Sequence, residues 1–360
     1  MNSSSPTDAL IGIGLTAAML QRLIARPAYD GESPMRVIEL RRGAVCLHDG
    51  RHEVLATLPP ALALSLADDA IAVGDWVLAD QPAPGRWRVV ERVAPLTQIA
   101  RRTNDGRGAA KRQVLVANVD TAFLVMGLDR DFNARRLERY LALSHLAAVP
   151  AVLVLTKADT LDTPLLQRRI DEARAALGSG APLLALDARA PSSAEGLAPW
   201  LARGQTAVML GSSGAGKSTL TNTLCGEAVQ DTGAVRFDDG RGRHTTTTRT
   251  LRFTVAGGCV IDTPGLRALR LDIDDASQLA GVFDDVSTLA QRCRFRDCRH
   301  QSEPGCAVRE SLPAERVNNF HKLQREARRD SMNALERREQ RATWKIRGRE
   351  AAIRMRAKRG

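Results

Sequence analysis

No apolar run reaches the roughly 18 residues that a membrane-spanning helix needs. The most apolar stretch, Ala9 to Leu20, is about a dozen residues long. No Lys or Arg precedes it, so the charged leader of a secretory signal is missing. Cysteine is scarce, with six in 360 residues, too few for a disulfide scaffold. Lysine is scarce as well, six against 46 arginines, which points to an Arg-rich, GC-biased composition. These absences lead us to expect a cytoplasmic protein with no membrane partner; no long coiled-coil heptad is visible either, and a monomer is the expectation, although the sequence does not settle oligomeric state.

What is present is ordinary for a folded chain: 44% hydrophobic and 26% charged residues, enough for two or three domains. The net charge of +11 stands out. Such a balance suits a polyanionic partner, with a solvated Arg-rich surface as the plain alternative.

Along the chain the pattern changes several times. Residues 1–34 read as an amphipathic helix (Leu10, Ile13, Leu20, Leu23, Ile24) and a linker. Residues 35–103 alternate short apolar runs with turn signals, and about five strands at that spacing suggest a small barrel resembling an OB-fold. Residues 104–272 alternate apolar strands with helices, the sign of a parallel sheet. Residues 273–320 hold a cysteine cluster, and 321–360 form a basic tail with 14 basic and five acidic residues.

The chemistry is carried by short motifs. Gly211-Ser212-Ser213-Gly214-Ala215-Gly216-Lys217-Ser218 fits G-x-x-x-x-G-K-[ST] and lies between a strand and the helical stretch that begins at Thr219. Its backbone N–H groups can curl round phosphate oxygens at a helix N-terminus. Lys217 would reach the β- and γ-phosphates, and Ser218 would ligate Mg²⁺. Asp262-Thr263-Pro264-Gly265 follows a second strand. Asp262 can hold Mg²⁺ through water, and the Gly265 N–H can sense the γ-phosphate. Thr156-Lys157-Ala158-Asp159 follows a third. The Asp159 carboxylate can pair with the N1–H and N2–H₂ edge that guanine has and adenine lacks, and Lys157 would lie along the base plane.

The guanine-reading motif precedes the phosphate loop by about 55 residues, the reverse of most GTPases. In this the chain resembles the circularly permuted GTPases of the RsgA/YjeQ type, over about Arg36 to His321. Val73-Gly74-Asp75, Gly242-Arg243-His244-Thr245-Thr246-Thr247 and the cysteine cluster carry the resemblance further. It implies an OB-like barrel, a permuted α/β GTPase domain and a C-terminal helical zinc domain. It also implies GTP hydrolysis stimulated by the small ribosomal subunit, contact with its rRNA, and a release switch in late subunit maturation. Two positions depart from the family: Thr156 stands where Asn is usual, which changes a loop-bracing hydrogen bond. Asp187-Ala188 stands where Ser-Ala is usual in the later base-contacting turn.

Leu266 occupies the place where many GTPases carry a water-orienting Gln. His244 in the switch is then the candidate for that role, since an imidazole can orient or accept from water near neutral pH. Thr246 is the candidate to complete the Mg²⁺ shell, with Thr245 and Thr247 as alternatives. Cys293, Cys298, His300 and Cys306 form a Cys₃His set suited to one structural zinc ion. The barrel holds only Trp76 and Trp87 as aromatics, few for base stacking, so rRNA contact there is expected through shape and phosphates. An RNA-binding scaffold with a silent nucleotide site, and a P-loop kinase, are the competing readings. Intact Lys217, Ser218 and Asp262 argue against the first, and Asp159 against the second.

Overall fold

The alternation of residues 33–92 becomes a closed barrel in the computed structural model. That structure describes residues 5–26, 31–63, 70–103, 111–177, 181–226, 249–263, 270–272, 279 and 281–331. β1 (Ser33–Arg41) pairs antiparallel with β2 (Ala44–His48), and β2 with β3 (Glu53–Thr57). β3 runs parallel to β5 (Arg86–Arg92), which pairs antiparallel with β4 (Trp76–Ala83). Pairing of β4 with β1 closes the ring. Because side chains alternate along a strand, Met35 and Val37, Val45 and Leu47, and Val77 and Ala79 all enter one apolar interior with Ala56 and Val89. The Val73-Gly74-Asp75 signature turns the chain into β4. Gly74 has φ +93°, and a Cβ there would lie 2.1 Å from the Ala117 carbonyl oxygen. The buried Asp75 carboxylate accepts from the Ala72 amide at 2.8 Å and from Arg92 Nε at 2.9 Å.

The N-terminal helix expected as one element is two: α1 (Pro6–Gly12) and α2 (Ala17–Ile24). Gly14 breaks it at φ +93°, with no room for a Cβ beside the Arg36 guanidinium, and the Thr16 hydroxyl caps α2 by accepting from the Met19 amide at 3.2 Å. Leu10, Ile13, Leu15 and Met19 bury Trp76 on the outer face of the barrel, while Ile24 stays exposed. Trp87 is half-buried against the barrel interior. Base stacking on Trp76 is thereby excluded.

The chain divides into two compact units, Met1–Arg102 with Arg112–Arg270, and Thr103–Lys111 with Leu271–Gly360. α3 (Pro60–Ala63) follows β3 in the first unit; β6 (Gln98–Thr103) and β7 (Lys111–Ala117), all but Thr103 and Lys111 of which belong to that unit, adjoin in a smaller sheet. The main sheet then continues with β8 (Thr121–Gly127), β9 (Ala151–Thr156), β10 (Leu183–Ala185), β11 (Thr206–Gly211), β12 (Thr250–Phe253) and β13 (Cys259–Asp262). Its order is β10-β9-β8-β11-β13-β12, parallel except for β12. β8 and β11 are buried at every residue, as expected of strands covered on both faces. The covering helices are α4 (Ala134–Leu146), α5 (Thr163–Leu177), α6 (Pro191–Leu197) and α7 (Lys217–Cys225).

Two features join barrel and sheet. Glu39 of β1 is in register with Thr250 of β12, so one sheet runs through both. The fully buried Arg36 donates to the Thr206 hydroxyl and the Asn118 carbonyl, each at 2.8 Å, and to the Ile13 carbonyl. Burial lowers its pKa, while Cys259, Asp120 and Asp75 favour the charge. Unpaired, such a charge would be costly to bury.

The second unit holds α8 (Asp284–Ala290), α9 (Ala307–Ser311) and α10 (Ala314–Ser331). Phe283 stacks edge-on with Phe320, and the Arg316 guanidinium lies over the Phe283 ring while pairing with Asp285. Among the described residues, no helix is long and apolar enough to cross a membrane.

Candidate functional site

The parallel strands β11, β9 and β13 end on one side of the sheet, where open α/β sheets bind ligands. β11 feeds the phosphate loop. A Cβ on Gly211 would lie 2.4 Å from the Val125 carbonyl oxygen, and Gly214 and Gly216 have φ +81° and +88°. Only glycine takes up all three positions without strain. α7 starts at Lys217, so the loop's amides converge on a helix N-terminus, where partial positive charge favours phosphate. Lys217 Nζ curls over the loop and donates to the Gly211 and Ser212 carbonyls at 3.0 and 2.7 Å. Burial pushes this ammonium down to about 8, against the pull of Asp262 and Asp131. Ser213 is exposed, and Ser218 and Thr219 are half-buried at the start of α7.

β9 brings the Thr156–Asp159 turn alongside. The Thr156 hydroxyl donates to the Ala215 carbonyl at 2.7 Å, so a brace to the phosphate loop exists without the usual Asn. Lys157, in the left-handed region at φ 63°, donates to the Gly214 carbonyl at 2.8 Å and pairs with Asp129. Burial opposes it, but Lys157 and the Asp131 amide hold the Asp129 carboxyl below its usual range. Asp159 is paired with Arg189 at 2.8 Å.

The Asp187-Ala188 turn is fixed from two sides. Ser193 Oγ donates to the Asp187 carbonyl at 2.5 Å, and Thr223 Oγ1 to the Ala188 carbonyl at 2.6 Å, tying it to α7. Asp262, at the end of β13, is buried, and the neighbouring Thr263 hydroxyl donates to the Met209 carbonyl at 2.6 Å. Thus Thr156, Lys157, Asp159, Asp187, Ala188, Gly211 to Thr219 and Asp262 share one end of the sheet. His244, Thr245, Thr246, Thr247, Gly265 and Leu266 lie outside the described residues.

Three participants escaped the sequence reading. Ser212 Oγ donates to Asp131, Asp129 pairs with Lys157, and Arg189 with Asp159. A signal was there: Asp129-Arg130-Asp131 comes one residue after a buried parallel strand, and Arg189 follows Asp187-Ala188.

In the second unit, ligand atoms of Cys293, Cys298, His300 and Cys306 all lie within 4.8 Å of one another. Cys306 Sγ is 3.4 Å and Cys293 Sγ 3.7 Å from His300 Nδ1, and the two sulfurs are 4.0 Å apart. Zinc–ligand bonds of about 2.0–2.3 Å in a tetrahedron give edges of about 3.5–3.8 Å; the three edges among Cys293, His300 and Cys306 lie close to that range, and the four residues together could hold a metal ion. The intervening loop is shaped by His300 at φ 58° and Gly305 at φ 70°. Glu303, whose carboxylate accepts amides of Arg299, Gln301 and Ser302 at 3.0, 2.8 and 3.0 Å, pins it.

A phosphate-loop motif after a central strand, with the Thr156–Asp159 turn beside it on a strand that precedes it in the chain, is the arrangement of a circularly permuted P-loop GTPase. The family model described as RsgA GTPase matches residues 93–272. The chain is 39% identical over 333 residues to "Small ribosomal subunit biogenesis GTPase RsgA 2" of Vibrio vulnificus, covering 91% of this chain and 90% of that one. It is 44% identical over 312 residues to "Small ribosomal subunit biogenesis GTPase RsgA" of Xanthomonas euvesicatoria, covering 82% and 81%. Among solved structures it resembles YjeQ from Thermotoga maritima (TM-score 0.58, 25% identity, 82% of this chain and 98% of that one). It also resembles YloQ, a circularly permuted GTPase (TM-score 0.56, 20% identity, 86% and 100%). The chain belongs to the RsgA GTPase family, and it is a GTPase.

Proposed function

We propose that this GTPase binds the small ribosomal subunit through its rRNA, assists late maturation of that subunit, and is released when subunit-stimulated hydrolysis converts GTP to GDP. The observation that carries the nucleotide half is the Thr156–Ala215 brace, which sets the Asp159 turn beside the phosphate loop. The ribosomal half is supported by relatives named small ribosomal subunit biogenesis GTPases.

In this reading the loop from Gly211 to Thr219 holds the phosphates, Lys217 leaves its two carbonyl partners for the β- and γ-oxygens, and Asp159 reads guanine with Lys157, Asp187 and Ala188 around the base. Ser218, Thr246 and Asp262 are the oxygens for Mg²⁺, which neutralises charge on the β- and γ-phosphates when bound. The Gly265 N–H senses the γ-phosphate, and His244 orients the attacking water. Cys293, Cys298, His300 and Cys306 hold one structural zinc ion, and the protein acts in the cytoplasm as a monomer. The deciding assay is GTP turnover with added small subunit, large subunit or free RNA. Stimulation by the small subunit alone is expected; equal rates under all conditions would overturn the reading.

A further inference from the structure

Asp159 Oδ2 accepts a hydrogen bond from Arg189 Nη2 at 2.8 Å. A guanidinium offers neighbouring N–H donors to a carboxylate. The guanine edge offers the same, N1–H beside N2–H₂. Arg189 and guanine therefore present equivalent donors to one acceptor.

The side chain is aimed. The Asp187 carboxylate Oδ1 accepts from Arg189 Nε at 3.2 Å and from the Arg189 amide at 2.9 Å. Asp187 itself is immobilised through its carbonyl by Ser193. The Asp at 187, in the place where Ser is expected, thus supplies the acceptor that directs Arg189 toward Asp159. Arg189 is 69% exposed in its side chain and Asp159 32%. A pair so wet is weak and readily exchanged.

We propose that Arg189, directed by Asp187, competes with the guanine base for Asp159 and so sets nucleotide affinity at this site. The proposal rests on the assignment of Asp159 as the guanine-reading carboxylate. Arg189 is a positioning residue of the pocket, displaced when the base enters and available to refill the carboxylate when it leaves.

The test is the Kd for GDP, read with a fluorescent GDP analogue on the full chain. Arg189→Ala should bind about two- to fivefold more tightly, the range of an exposed ion pair. Asp187→Ser should shift it in the same direction by less. The control is xanthosine diphosphate binding to Asp159→Asn, where a carbonyl replaces guanine's amino group and the Asn amide replaces the carboxylate. Adding Arg189→Ala in that background should change nothing, because Arg189 has no carboxylate there to occupy. Unchanged or weaker GDP binding by Arg189→Ala overturns the proposal. So does an equal gain for xanthosine diphosphate, which would mark removal of side-chain bulk from the pocket and not release of the Asp159 carboxylate. Undiminished GDP binding by Asp159→Asn would instead overturn the guanine-reading assignment itself.

Discussion

The Thr156 hydroxyl donates to the Ala215 carbonyl at 2.7 Å, joining residues 59 positions apart. Thr156 ends the strand that leads to Asp159; Ala215 lies inside the phosphate loop. Both are buried, so water cannot replace the bond.

Thr156→Val keeps the shape and removes the donor, leaving a buried carbonyl unsatisfied. Such a loss costs about 1–3 kcal/mol. GDP affinity should fall by roughly five- to a hundredfold, while Thr156→Asn, which restores a donor, should retain most of it. Titration with fluorescent GDP decides; unchanged affinity in Thr156→Val would show that the brace does not shape the pocket.

Lys217 links the same loop to pH. Its ordinary value of 10.5 falls to about 8 through burial. Below pH 8 both folded and unfolded chains carry the charge, and the cost of burying it is fully present. Between pH 8 and 10.5 only the unfolded chain holds that proton, so stability without nucleotide rises with pH, by at most about 3 kcal/mol. Urea midpoints at pH 7.5 and 10 should show a gain in the native chain that Lys217→Met lacks. Parallel shifts in both would refute this origin.

Loss of the Cys₃His cluster should unfold the second unit locally and leave the first. Cys298→Ala, or prolonged chelation, should abolish stoichiometric zinc and lower the melting transition of the region that holds α8 to α10. GDP affinity should stay within about twofold of native, below the tenfold that 1.4 kcal/mol represents. Purified protein with no bound metal, or an unmoved transition, would sink the zinc assignment.

His244→Ala should leave GDP binding intact and cut subunit-stimulated GTP turnover on the order of a hundredfold, the scale at which a side chain positioned on the attacking water contributes. Single-turnover rates with saturating subunit separate this from weaker docking. A stimulated rate equal to native would remove His244 from the chemistry.

The basic tail needs a different cut from the one its charge suggests. α10 continues to Ser331 and buries Leu323 and Ala327, so removal from 321 would expose an apolar face. Truncation after Ser331 removes ten basic and three acidic residues. Affinity for the small subunit should fall and its salt dependence flatten, with GTP turnover in isolation unaltered. An unchanged salt slope would assign the tail to a solvated surface.

The elements legible in the sequence were those whose function demands a local backbone. Gly211 to Ser218 must be a strand-to-helix loop with glycines at left-handed positions, and that pattern is visible without a fold. The same holds for the alternation that fills the barrel and for the Cys₃His spacing. What misled was also local: Leu10, Ile13 and Leu20 keep helical period, yet Gly14 breaks the helix because Arg36 occupies the space a side chain would need.

The sequence by itself therefore determined the motifs: the phosphate-loop pattern, the Thr156–Asp159 turn and their permuted order, each motif written in contiguous residues. Only the tertiary structure decided how those parts are held. Asp131 on Ser212, Asp129 on Lys157, Thr156 on Ala215 and Arg189 on Asp159 join residues 28 to 81 positions apart. Each bond exists because parallel strands end side by side, and strand order in a sheet is set by which buried faces pack together, a property no single segment carries.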